Sequence, residues 1–280
     1  MKADKQTPIN LRSWQSWLVI ILLVTALILI LYFYYPVGVD WEETFGQTAT
    51  HLRDPYEINT FTNPPWVVFL LPHAWLPIKL GNAVNFALNL VLITAVVHKF
   101  GGDWKTLLLV FTSPPFFDLA RTNNIEWIPL LATLLPPAWG LPVLVLKPHA
   151  IGGAALVWWK KEKHAIKMLI PLAAVVASSF LIWGFWPLKF GLVTDSDKWN
   201  FAPWPLGIPL GVYMLYRAYK SDDQFLAAAA TPFLVPYIAP YSITAVLAYI
   251  GSKYRRAAFF VYVGFWVYFV VETRRVAQVY

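Results

Sequence analysis

Four groups of side chains in this sequence are of types that do chemistry. The first is Asp40, which closes an unbroken apolar run from Trp17 to Val39. A carboxylate within hydrogen-bond reach of a hydroxyl can take its proton as the oxygen attacks an electrophilic carbon. Aspartate also caps helices, because free amides and the helix dipole favour it at an N-terminus. Asp40 therefore reads either as a general base or as the cap of a helix beginning at Trp41. Glu42 and Glu43 follow it. As a pair they are either oxygen ligands for a divalent cation or a solvated acidic face.

The second group is Lys147 with His149, set in otherwise apolar sequence. An ionisable residue in such a setting is a functional candidate, and lysine binds phosphate as a point charge. The plainer reading is a lysine that snorkels to an interface. The third group is the polar stretch RTNNIE, with Arg121, Asn123, Asn124 and Glu126. It either lines a cavity or makes a turn. The fourth is Trp199 and Asn200 in TDSDKWNF, an aromatic platform with an amide or an ordinary interfacial tryptophan. His51, His73, His98 and His164 have no metal-ligand spacing.

The elements that must position these groups are membrane helices. The 280 residues are 58% hydrophobic and 13% charged, with a mean hydropathy of +0.54. Soluble domains carry about 25% charged residues. The apolar runs are continuous rather than alternating, which selects helices over a barrel. Aromatic residues gather at the run ends, as interfacial belts do. The 22 prolines predict short or broken helices around a cavity. The net charge of +7 comes from lysine and arginine clusters between runs, which is the positive-inside pattern and not a nucleic-acid signal. There is no cysteine, so disulfides and thiolate sites are excluded. The first run is too long for a signal-peptide core and lacks a cleavage site.

The chain reads as one all-α polytopic membrane domain, 1–280, of eight to eleven membrane segments, several short or broken. Residues 1–13 are a cytoplasmic N-terminus, 37–64 an extracytoplasmic loop, 160–164 a cytoplasmic turn and 188–204 a second extracytoplasmic loop. Within the first loop, Trp41, Phe45, Thr48 and Leu52 recur at helical spacing, which predicts an amphipathic surface helix over 41–52. PPWVVFLLPHAWLP is short for a span and reads as interfacial or re-entrant. Residues 225–250, with Pro232, Pro236 and Pro240, are either one kinked span or two short ones. The second choice puts SKYRR in the cytoplasm and the C-terminus outside.

Six short elements carry a resemblance. They are Asp40 in VGVDWEE, Asp54-Pro55-Tyr56, Asn63-Pro64-Pro65, the run from Thr122 to Glu126, Lys147-Pro148, and YIAPY from Tyr237 to Tyr241. In this order they resemble the GT-C class of membrane glycosyltransferases, closest to family 87, the polyprenol-phosphate-mannose-dependent mannosyltransferases. Arg53 stands where that family has a small residue before its D-P-Y element.

The resemblance implies a GT-C-like bundle and transfer of a hexose, mannose by family, from a polyprenyl-phosphate donor. The acceptor would be lipid-linked or a protein, on the extracytoplasmic face of what would be the plasma membrane, with inversion. Asp40 would be the catalytic base. Lys147, with Arg121 and His149, would hold the donor phosphate, and Asn124, Tyr56, Trp199 and Asn200 would complete the substrate site. No organic cofactor is implied, and a divalent metal is left open. Membrane lipids and partner membrane subunits are the other expected contacts. Two rivals stand beside this reading. One is a non-catalytic scaffold subunit on the same fold. The other is a transporter or flippase, for which broken helices would build the site but inverted repeats are not visible.

Overall fold

A computed structural model describes residues 14–189 and 200–277, with side chains to 271. The described residues are helical throughout, with no strand among them. Three helices are long and apolar enough to cross a membrane: α1 (Trp14–Tyr34), α3 (Ile78–Lys99) and α10 (Ala165–Trp183). Between α1 and α3 lies the short α2 (Val39–Glu43). The remaining helices are α4 (Trp104–Phe111), α5 (Pro114–Thr122), α6 (Trp127–Leu134), α7 (Pro137–Leu144), α8 (Pro148–Ile151), α9 (Ala154–Lys161), α11 (Ile208–Ser221), α12 (Gln224–Leu234), α13 (Ile243–Gly251) and α14 (Arg255–Ala277).

α1 is apolar all round and buries none of its residues, as a helix bathed in lipid does. α3 is the central element. It buries Ile93, Val96 and Val97 in the main core with Leu130, Ala132, Leu144, Ala245 and Leu247. It also buries three asparagines, Asn82, Asn85 and Asn89. Their spacing of three and four residues sets them on one face.

Proline breaks the remaining chain into short helices, as its composition requires. Pro114, Pro137 and Pro148 each open a helix, where the missing N–H costs nothing. Residues 225–250 form two segments, α12 and α13, with the turn at Pro236–Pro240 between them. They run as a hairpin: Asp223 caps α12 through the Phe225 and Leu226 amides and pairs with Lys253, just past α13, at 2.8 Å.

That contact marks one end of the bundle. Arg255 meets Asp103 there at 2.6 Å, Lys160 meets Asp222 at 2.8 Å, and Lys99 donates to the carbonyls of Thr133 and Leu134. α3 spans about 33 Å, at 1.5 Å per residue, and ends at Lys99 on this basic side. At its far end Trp41 Nε1 donates to the Ile78 carbonyl at 3.0 Å. The Asp40 loop and this group of basic side chains, Lys99, Lys160, Lys253 and Arg255, therefore lie at opposite ends.

The expected surface helix over 41–52 is not formed. α2 stops at Glu43, Thr44 turns away at φ −129°, ψ −74°, and a 3₁₀ turn takes Phe45–Gln47. The apolar positions do point inward as the spacing implies, but into a second core. There Trp41 and Phe45 pack with Ile58, Phe61, Trp66, Trp127 and Trp183. Trp41 is pinned by its bond to Ile78 and by stacking on His73, so the chain folds back under α3 rather than running along a surface. The stretch 65–75 forms two 3₁₀ turns, Pro65–Leu70 and Pro72–Trp75, in keeping with its short apolar length.

Candidate active site around Asp40

Asp40 is not a helix cap. α2 begins at Val39 with Gly38 as its N-cap, and no side chain caps it. Asp40 lies in the first turn, and its side chain reaches across to the loop after α5. Asn124 Nδ2 donates to Asp40 Oδ2 at 2.6 Å. Asp40 Oδ1 has no protein donor among the described residues.

The asparagines of α3 build this contact. Asn123 ends α5 in the left-handed region, φ 51° and ψ 46°, a conformation that asparagine tolerates better than most residues. Asn85 Nδ2 donates to both Asn123 oxygens at 2.8 and 2.9 Å. Asn123 Nδ2 donates to Asn82 O and Oδ1 at 2.8 and 2.6 Å, and Asn89 Nδ2 donates to Asn124 O at 2.9 Å. Asn82 also holds the Asp40 side of the site. Its Oδ1 accepts from Gly38 N, and its Nδ2 donates to Pro36 O, each at 3.0 Å. One helix face thus grips both chain segments that meet at Asp40.

Gly38 makes the close approach possible. A Cβ there would lie 2.4 Å from Asn123 Cβ and 2.6 Å from Thr122 O.

Behind Asn124 runs a buried polar chain. Lys147 Nζ donates to Asn124 Oδ1 at 2.5 Å and pairs with Glu126 Oε1. Lys147 is 4% exposed and Glu126 0%. Ser242 Oγ donates to the same Glu126 oxygen at 2.8 Å and lies 3.2 Å from His149 Nε2. Lys147 also sits over the Tyr241 ring, 5.0 Å from its centre. The pair is buried well enough that each charge needs the other.

In front of Asp40 is a cavity of about 250 Å³, walled by Asp40, Asp118, Arg121, Tyr237, Pro240 and Tyr241 among others. It forms where α2, the end of α5 and the proline break between α12 and α13 meet. Arg121 reaches back to Asp118 at 2.8 Å and is half exposed. Burial pushes the Asp40 carboxyl above its ordinary range, while the Asn124 bond and the Lys147 charge pull it part of the way back. A carboxylate poised this way, with one oxygen uncommitted on a cavity, is suited to accept a proton.

The residues singled out from sequence divide into three sets. Asp40 and Arg121 line the cavity, and Asn124 holds Asp40. Lys147 and His149 join the same network, but Lys147 is off the cavity wall with its charge met by Glu126. Lys147 is almost fully buried, with its ammonium on Asn124 and Glu126, so in this structure it fixes Asn124.

Tyr56 and Asn200 are committed elsewhere. Tyr56 Oη donates to Asn63 O at 3.0 Å, and Asn63 Nδ2 donates to Leu146 O at 2.9 Å. The D-P-Y and N-P-P elements thus brace the segment entering Lys147. Asn200 Oδ1 accepts from Ala202 N and Ile238 N, and its Nδ2 donates to Pro236 O. It staples the cavity's proline wall. Trp199 lies outside the described residues. Glu42 and Glu43 are exposed, and no cluster of three His, Cys, Asp or Glu that could hold a metal occurs among the described residues.

Sequence reasoning missed the three asparagines of α3, and with them Asp118 and Ser242. The signal was present. Three amides on one face of an apolar 22-residue helix are costly unless they hydrogen-bond to something built for them. No family model, curated protein or solved structure matches this chain.

Proposed function

We propose that this chain is a multi-pass membrane glycosyltransferase that moves a hexose from a polyprenyl-phosphate donor to an acceptor hydroxyl, with Asp40 as the base. The observation that carries the reading is the uncommitted Asp40 Oδ1 on a cavity that also holds the Arg121 guanidinium. At about 250 Å³ the cavity falls just below the usual range of ligand sites, about 300 to 1,000 Å³. That size suits a single sugar ring.

In this mechanism the acceptor oxygen forms its bond to the anomeric carbon as the bond from that carbon to the phosphate oxygen breaks. The electron pair leaves with the phosphate, the proton passes to Asp40 Oδ1, and the configuration inverts. Arg121 is the cavity's cation and meets the leaving phosphate. Lys147 and Glu126 act through Asn124: with its oxygen held by Lys147, the amide presents only N–H to Asp40. The positive-inside rule assigns the basic end to the cytoplasm and the Asp40 cavity to the other face, where a lipid-linked donor enters from the bilayer.

The deciding experiment expresses wild type and Asp40→Asn in membranes supplied with a labelled polyprenyl-phosphate hexose. Label should pass to an acceptor with wild type and not with the variant. Equal transfer by both removes Asp40 as the base, and transfer by neither at equal expression removes the proposed donor.

A further inference from the structure

The far end of the bundle holds a second, larger cavity of about 480 Å³, between α4 and α14. It shares no residue with the Asp40 cavity, and a ligand there would bind whether or not the chain transfers a sugar. Both walls have the same design. On α4, Lys105 is followed three and four residues later by Leu108 and Leu109. On α14, Arg256 is followed three and four residues later by Phe259 and Phe260. That spacing stacks each cation above two apolar side chains on one helix face. Leu108, Phe259 and Phe260 are exposed, so the groove has apolar walls with cations at one mouth.

The charge at that mouth is not cancelled. Arg255 is committed to Asp103 at 2.6 Å. Arg256 has no ion pair or hydrogen bond among the described residues, and the Lys105 ammonium has only the Trp104 ring, 5.7 Å away. A water-soluble anion would satisfy the cations and leave the apolar walls bare. A neutral lipid would cover the walls and leave the cations bare. A ligand that is anionic at one end and aliphatic along its length satisfies both.

We propose that the α4–α14 groove binds one anionic glycerophospholipid, with its phosphate on Lys105 and Arg256 and an acyl chain along Leu108, Leu109, Phe259 and Phe260. Basic pockets between membrane helices at the cytoplasmic side are suited to such headgroups.

The test uses the full chain, purified in neutral detergent and stripped of lipid. It is titrated with dioleoyl phosphatidylglycerol or dioleoyl phosphatidylcholine, and bound lipid is counted by native mass spectrometry. One phosphatidylglycerol per chain should be retained, with a preference over phosphatidylcholine of about tenfold or more, as two juxtamembrane cations give. The Lys105→Gln/Arg256→Gln variant should lose that preference. Lys160→Gln, whose cation is already paired with Asp222, should keep it. Should the double variant fold poorly, wild type in high salt provides the same reading, because screening should bring the two lipids to parity. Equal retention of both lipids at low salt overturns the proposal, as does an unchanged preference in the folded double variant. Displacement of phosphatidylglycerol by millimolar glycerol 3-phosphate also overturns it, by making the site one for soluble phosphates.

Discussion

Asn124 donates to Asp40 Oδ2 at 2.6 Å while its own oxygen takes the Lys147 ammonium at 2.5 Å. The amide therefore cannot flip without setting N–H against ammonium and oxygen against carboxylate. One side chain holds the carboxylate of the first loop in register with a buried ion pair whose lysine lies 23 residues further along the chain. If Asp40 is the base, this arrangement keeps Oδ2 occupied and leaves Oδ1 for the reacting hydroxyl. Asp40→Asn should then reduce transfer by about 10²- to 10⁴-fold, the usual contribution of a positioned base. Expression should be preserved and the fold should be no less stable, since an asparagine oxygen can still accept from Asn124. Initial rates with labelled donor, set beside an unfolding curve, separate loss of the base from loss of the fold.

The carboxyl of Asp40 is raised by burial, only partly offset by Asn124 and Lys147. An acid with a raised folded pKa loses stability as pH rises from its unfolded value through its folded one, because the fold disfavours the charged form. Below the unfolded value both states are protonated and the penalty vanishes. Asp40→Asn should therefore unfold at a slightly higher temperature than wild type at pH 7, with the gap closing below about pH 4. Activity runs the other way, needing the ionised form, and should fall on acidification at a pH above the ordinary aspartate range. A variant less stable than wild type at neutral pH would count against a raised carboxyl.

The buried pair makes a separate prediction. Removing one partner of a buried ion pair leaves an uncompensated charge and costs about 3–5 kcal/mol. Lys147→Met should destabilise by that amount, and Glu126→Leu should do likewise. The double variant should recover most of the loss, because both charges leave together. It should still be impaired in transfer, as nothing then orients Asn124. Chemical unfolding in detergent gives the cycle. Additive losses in the double variant would mean that the two side chains do not act as a pair.

Much of this arrangement was legible in the sequence, and its limits have physical causes. The apolar run from Trp17 announced α1, because a span must be long and apolar whatever packs around it. Asp40, Arg121, Asn124, Lys147 and His149 stood out because charge or amide in such sequence is costly, and the fold brings all five to one region. The partners were not legible. Glu126 neutralises Lys147 from 21 residues away and Ser242 reaches Glu126 from 116, and spacing along the chain carries no record of such pairings. The 41–52 helix failed for a related reason: period alone sets which side chains point inward, while Trp41's bond to Ile78 decides that the chain folds back there. Tyr56 and Asn200 resembled ligand groups by type, yet nearby main-chain atoms use their hydrogen-bonding capacity.

Asn85 is the most heavily bonded member of the asparagine face. It donates to both Asn123 oxygens and accepts from Trp127 Nε1 at 2.8 Å. Asn85→Leu keeps similar bulk but leaves the Asn123 carbonyl and the Trp127 indole N–H without this partner. Each buried group left bare costs about 1–3 kcal/mol. The variant should unfold earlier and lose transfer, although Asn85 touches neither Asp40 nor the cavity. A thermal midpoint unchanged from wild type would remove the asparagine face as the scaffold of the site.

Gly38→Ala tests the same geometry from the other side. Its φ of −78° and ψ of 145° are open to any residue, so backbone strain is not at issue. The cost is steric: the added methyl would lie 2.4 Å from Asn123 Cβ and 2.6 Å from Thr122 O, and neither neighbour is the free end of a flexible chain. Asn123 is held by Asn82 and Asn85, so the segment that yields is the start of α2, carrying Asp40 away from Asn124. Crowding of this kind costs about 1–3 kcal/mol, which a well-packed bundle can absorb. Transfer should suffer more than folding, because a displacement of about 1 Å at a reacting group can cost about 10²-fold. The variant should therefore express and unfold cooperatively, with kcat depressed far more than the thermal shift alone would suggest. Full activity in Gly38→Ala would show that Asp40 tolerates a looser contact with Asn124 than the base mechanism allows.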